Sequence, residues 1–111
     1  MSELLNLKKS SFLVYGLGST GRSVIQYFKK NKIFNYFVWD DNIKLRKSYK
    51  TKNSVSDLSR TFKEVDFIVL SPGISLKKTK YKKNLIKYKK KIITDIDLLY
   101  LSNKKFKSVV V

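Results

Sequence analysis

An α/β fold built on an open parallel sheet is predicted for this chain, and three observations predict it. Short apolar runs rich in β-branched and aromatic residues recur along the sequence. Helical or polar stretches separate them, the alternation that favours parallel strands joined by right-handed crossovers. The first run ends in glycines spaced Gly-x-Gly-x-x-Gly, at Gly16, Gly18 and Gly21, and a helical pattern follows directly.

Residues 11–15, SFLVY, read as a buried strand that stops at a glycine. From Thr20 to Lys30 the apolar positions Val24, Ile25 and Phe28 share one helix face. Residues 36–39, YFVW, make the second strand, ended by Asp40 and Asp41. Residues 42–56 are polar without a period and predict a loop with a weak strand. Ser56 is the expected cap of a short helix from Asp57, with Leu58 and Phe62 facing inward. DFIVL, 66–70, is the third strand and runs into Ser71-Pro72-Gly73. KYKKNLIKYKKK, 80–91, predicts a surface helix with Leu85, Ile86 and Tyr81 toward the core and its lysines solvated. Ile92 and Ile93 form a short fourth strand; Ile96, Leu98 and Leu99 suggest a helix capped by Asp95, with Asp97 a surface charge. FKSVVV, 106–111, reads as a fifth strand, and its uncovered valine run predicts that a longer protein continues beyond it.

At 111 residues and 42% hydrophobic content, the sequence is sufficient for one modest domain with a core. Cysteine and histidine are both absent from the sequence. That excludes disulfides and serine–histidine or cysteine–histidine catalysis within these residues, and argues against a metal site. The N-terminus lacks the charge–apolar–small pattern of a signal peptide, and no apolar run approaches the roughly 20 residues that span a bilayer. The expectation is a cytoplasmic protein without a membrane partner. The formal charge of +17 invites a nucleic-acid reading. However, only Arg22, Arg46 and Arg60 of the 25 basic residues are arginines, the usual base readers. Lysine with abundant Asn, Ile, Phe and Tyr is a set with A/T-rich codons, so genome composition accounts for the charge and no nucleic-acid partner is expected.

The glycine turn carries the chemistry. Gly16 makes the turn, Gly18 lets a phosphate approach the backbone, and Gly21 lets the helix pack on the strand, the logic of a Rossmann-like nucleotide site. Amides near Ser19 and Thr20 then face an anion, helped by the helix dipole. Asp40, at the end of the second strand, is placed to accept hydrogen bonds from a ribose or base. Ser71, Pro72 and Gly73 follow the third strand, so all three features fall on one predicted sheet edge, where ligands of open α/β sheets gather. Arg22 reads as facing solvent and Trp39 as core. The glycines alone leave the nucleotide open, and an NAD-binding regulatory domain is the alternative.

Four segments in order, GLGSTGRS, VWDDN, DFIVLSPGI and IITDIDLLY, resemble the N-terminal domain of the Mur ligases, most closely the branch that adds D-glutamate. The resemblance spans Ser11 to Val111, and SPGI with the acidic-Ile-acidic-Leu segment is its most specific part. Thr94 stands where glycine is usual and Asp97 where glutamate is usual. The resemblance implies a first domain that holds the UDP part of UDP-N-acetylmuramoyl-L-alanine rather than NAD. It implies Gly18, Ser19 and Thr20 near the diphosphate and uridine, Asp40, Asp41 and Asn42 at uracil and ribose, and Ser71, Pro72 and Gly73 along the diphosphate and sugar. Some relatives carry arginine in place of Asn42. It implies a division into a UDP-substrate domain, 1–104, and the first strand, 105–111, of a central ATP-binding domain. The implied whole enzyme is a monomeric peptidoglycan-precursor ligase that uses ATP and Mg2+, with no catalytic residue among these 111. This chain alone is expected to bind substrate and not to ligate.

Overall fold

The computed structural model describes residues 9–48, 55–74 and 77–98. Four strands, β1 (Phe12–Tyr15), β2 (Tyr36–Trp39), β3 (Phe67–Leu70) and β4 (Ile92–Ile93), form one sheet in the order β2-β1-β3-β4. All three pairings are parallel. The helices are α1 (Ser19–Lys30), α2 (Ile43–Ser48), α3 (Leu58–Glu64) and α4 (Lys82–Lys87), followed by a 3-10 turn at Lys89–Lys91. This is the predicted α/β class: an open, all-parallel, Rossmann-like sheet flanked by helices. The chain leaves β1 toward one edge and returns to lay β3 on the other side, so a switch point opens between them.

Burial explains why β1 is apolar at every position. Its residues alternate between two cores, and both faces are covered. Phe12 and Val14 join Val24, Ile25 and Phe28 of α1, with Ile33, Val38 and Leu98. Leu13 and Tyr15 join Leu58 and Phe62 of α3, with Val65, Ile68 and Leu85. Aromatic pairs hold each layer: Phe12 lies 4.8 Å from Phe28 and Tyr15 6.0 Å from Phe62, centroid to centroid. Asp66 ties the starts of β1 and β3, its carboxylate accepting from the Ser11 amide at 2.9 Å.

Several sequence expectations are corrected. Residues 43–48 form α2 where a loop was expected. Ile43 is 54% exposed, and the helix has no apolar stripe to read. Its start is marked instead by Asn42, whose Oδ1 accepts from the Lys44 amide at 2.9 Å. The cap of α3 is Asp57, not Ser56: its side chain accepts from the Arg60 amide at 3.2 Å. Ile86 points outward, 55% exposed, whereas Leu85 is buried and Tyr81 and Tyr88 pack on Phe62. After β4 the expected helix begins, with residues 95–98 helical, and its cap is Thr94 rather than Asp95. The Thr94 amide donates to Asp97 Oδ2 at 3.0 Å and the Asp97 amide to Thr94 Oγ1 at 3.1 Å, a reciprocal capping box. The expected fifth strand and the 104/105 division lie outside the described residues. Among those described, no helix is long and apolar enough to cross a membrane.

Candidate functional site

The three connections that leave β1, β2 and β3 at their carboxyl ends enclose a cleft of about 400 Å³. Gly16, Gly18, Ser19 and Thr20 line it from the first connection, Asp40, Asn42 and Leu45 from the second, and Ser71, Gly73 and Ile74 from the third.

The first connection is bent by Gly16, whose φ of +116° is reached at little cost only without a Cβ. A Cβ there would also stand 2.6 Å from Ser71 Oγ. Gly21, one turn into α1, is required by packing: its Cβ would fall 1.7 Å from the Gly16 carbonyl oxygen. The other two loop glycines differ. Neither Gly18 nor Gly73 has positive φ, and a Cβ on either would meet nothing within 4 Å. Both line the cleft, so their missing side chains clear space in it.

At the start of α1, Gly18 occupies the cap position with no side-chain cap bond, and the first intrahelical donor is the Arg22 amide to Gly18 O at 3.0 Å. The amides of Ser19, Thr20 and Gly21 therefore have no intrahelical acceptor, and the positive end of a 12-residue helix sits at the cleft.

Asp40 is 5% exposed and holds two connections together. Its Oδ2 accepts from the Leu17 amide at 2.7 Å and its Oδ1 from the Asn42 amide at 2.8 Å. Both carboxylate oxygens thus serve the fold. The third connection is a hydrogen-bonded turn: the Ile74 amide donates to Ser71 O at 3.1 Å, with Pro72 and Gly73 between them. The Ser71 amide extends the ladder to Tyr15 O at 3.1 Å.

Seven of the nine residues expected at the site line this cleft: Gly18, Ser19, Thr20, Asp40, Asn42, Ser71 and Gly73. Asp41 and Pro72 do not. Pro72 shapes its turn. Asp41 turns toward the face covered by α3 and α4, where Oδ1 accepts from the Tyr15 hydroxyl at 2.7 Å and from the Trp39 indole N–H at 3.0 Å. The Tyr15 hydroxyl also lies 2.9 Å from Thr79 Oγ1, which ties the segment before α4 to the sheet. Burial of the Asp41 carboxyl pushes its pKa up, but bonds from Trp39, Tyr15 and Thr79 and the Lys80 charge outweigh this and hold it below the ordinary value. Burial drives the Tyr15 hydroxyl well above its ordinary 10.0. Leu45 escaped the sequence reading because α2 has no apolar period. Gly16 and Ile74 were legible as turn residues but not as cleft walls.

The family model described as "Mur ligase MurD-like, N-terminal domain" matches residues 10–94. This chain belongs to the MurD-like family of Mur ligase N-terminal domains. The matched span of this Mur ligase domain contains all three connections of the cleft. The chain is similar to the UDP-N-acetylmuramoylalanine–D-glutamate ligase of Francisella philomiragia, 35% identical over 108 residues that make up 96% of this chain and 23% of that protein. It is also similar to the enzymes of the same name from Francisella tularensis subsp. tularensis and subsp. holarctica. Each is 32% identical over 93 residues, 84% of this chain and 19% of the relative. This Mur ligase domain therefore spans less than a quarter of the length of the curated relatives it matches. No solved structure matches it.

Proposed function

We propose that the cleft binds the uridine diphosphate part of UDP-N-acetylmuramoyl-L-alanine, and that the chain is the substrate-binding N-terminal part of a cytoplasmic peptidoglycan-precursor ligase that adds D-glutamate. The supporting observation is the pair Gly18 and Gly73. They line the same cleft from the first and third connections, have no positive φ or packing clash that requires glycine, and leave room where a ligand would lie against the backbone. The Ser19, Thr20 and Gly21 amides and the α1 dipole suit a diphosphate. Thr20 and Ser71 add hydroxyls and Asn42 an amide, donors suited to phosphate and uracil oxygens.

Asp40 holds one backbone amide on each carboxylate oxygen, which fixes two walls of the cleft. Asp40 in this reading shapes the cleft, and Asp41 and Pro72 support it from outside.

ATP and Mg2+ belong to the proposed whole enzyme, in which ATP activates the substrate carboxylate before the D-glutamate amine attacks. The residues here do not fit either group: the cleft is lined by a single carboxylate, and the sequence contains no Gly-Lys-Ser/Thr phosphate loop. In this reading the chain binds the substrate and does not ligate. The domain division at 104/105, the monomeric state and the lack of a nucleic-acid partner are parts of the same proposal.

Titration of the 111-residue chain with UDP-N-acetylmuramoyl-L-alanine, NADH and a DNA duplex separates the readings. Saturation by the UDP-sugar alone is expected. Saturation by NADH alone at micromolar concentration, or by DNA alone with steep salt dependence, overturns the proposal.

A further inference from the structure

Resting on the reading of the cleft as a diphosphate site, we infer that Arg22 and Arg46 form a two-guanidinium clamp that supplies its positive charge. The residues lining the cleft include no cation, although a nucleoside diphosphate brings two to three negative charges. The amides and the α1 dipole contribute partial positive charge, about half an elementary charge at the helix end.

Two arginines outside that lining are anchored on the backbone of its first and second connections. Arg22, in the first turn of α1, donates from Nε to the Leu17 carbonyl at 3.2 Å. Arg46, on α2, donates from a terminal nitrogen to the Asp40 carbonyl at 3.0 Å. Leu17 and Asp40 are themselves joined, amide to carboxylate, at 2.7 Å. Both guanidinium groups are thus anchored on one junction, between the glycine turn and the wall formed by Asp40 and Asn42. The Arg46 guanidinium carbon also lies over the Trp39 ring, 4.0 Å from its centroid. Each anchor engages part of the guanidinium fork, leaving further N–H donors for an anion.

Residue choice supports the assignment. In this sequence lysine is the default cation, and arginine occurs at three positions. The third, Arg60, is an exposed partner of Glu64 on α3. The other two stand on the elements that enter the cleft from β1 and β2. A lysine has a single rotatable charge and cannot both hold a loop carbonyl and present a planar fork to a phosphate.

The test is calorimetric titration of the 111-residue chain with uridine, UMP and UDP, comparing the parent with Arg22→Gln, Arg46→Gln and the two lysine variants. The parent is expected to bind more tightly as phosphates are added. Each glutamine variant should lose about tenfold in UDP affinity, the scale of a solvent-screened charged hydrogen bond. Uridine affinity should move less than twofold, and lysine should restore part of the loss. Trp39 is the sole tryptophan, so UDP should change the parent's emission and leave that of Arg46→Gln unmoved. Two results overturn the clamp while leaving the cleft assignment standing. One is UDP binding that both glutamine variants keep within twofold. The other is equal loss of uridine and UDP, which marks a structural role. A parent that binds none of the three ligands overturns clamp and cleft together.

Discussion

The Asp40 carboxylate accepts a hydrogen bond from the Leu17 amide at 2.7 Å, so the residue after β2 fixes the loop after β1. A second bond, from the Asn42 amide, fixes the start of α2 to the same carboxylate. One buried side chain therefore sets the spacing of two walls of the cleft. Asp40→Ala leaves two loop amides without this partner and is expected to destabilise the fold by about 1–3 kcal/mol. Asp40→Asn should not rescue it, because whichever oxygen becomes an NH2 group confronts a donor. Urea denaturation with unchanged m-value checks this. An Asn variant as stable as the parent would show that the carboxylate is not the clamp.

The glycines divide into two kinds, and alanine tells them apart. At Gly21 a Cβ collides with the Gly16 carbonyl, so Gly21→Ala must displace α1 from β1 and lower the melting temperature. At Gly18 a Cβ meets open space, so Gly18→Ala should change stability by no more than about 1 kcal/mol, the range of cap substitutions. It should nevertheless weaken UDP binding, because the methyl group enters the cleft. Thermal melts and UDP titration on both variants decide the matter; a Gly18→Ala domain that binds UDP normally removes the steric argument for the site.

The Tyr15–Asp41 pair predicts losses of stability at both ends of the pH scale. Asp41 is held below its ordinary 3.8 in the folded chain by its donors and Lys80, against the opposing effect of burial. Its contribution is present above the unfolded value and disappears as pH falls through the folded value. Tyr15 is raised above its ordinary 10.0, chiefly by burial. Its contribution is full below pH 10.0 and is lost as pH rises from there toward the folded value. Asp41→Asn should flatten the acid limb of a stability–pH curve, and Tyr15→Phe the alkaline limb. At neutral pH Tyr15→Phe should cost about 1–2 kcal/mol for the lost hydroxyl bonds. Variant curves that run parallel to the parent would remove the linkage.

Within the lysine run before β4, one residue has a structural task. Lys91 Nζ donates to the Phe62 and Lys63 carbonyls at 3.1 and 2.8 Å, closing the C-terminal end of α3. Lys91→Met should cost about 1 kcal/mol, while Lys89→Met and Lys90→Met, exposed in the same turn, should be neutral. Chemical denaturation of the three variants checks the contrast, and equal behaviour would return Lys91 to the solvated surface.

Much of this protein follows from local pattern. The apolar runs at 12–15, 36–39 and 67–70, and the Val24, Ile25 and Phe28 face, declare strands and a helix because burial selects side chains at fixed periods. The glycine spacing and the turn at Ser71 declare where ligands gather, because backbone geometry is a near-neighbour property. Helix α2 was illegible because its start depends on one side-chain cap and its body shows no apolar stripe. Ile86 was misplaced for a related reason: in a six-residue helix, which of two adjacent apolar residues faces inward is decided by the neighbours it packs on. Only the folded chain decides that Asp40 spends its carboxylate on the Leu17 amide, that Asp41 turns away to Tyr15, and that Arg22 and Arg46 anchor on one junction. These are contacts between residues 23 or more positions apart, or between side chains and loop carbonyls, and a hydrogen bond's partner is selected by three-dimensional proximity, which residue type and spacing do not encode.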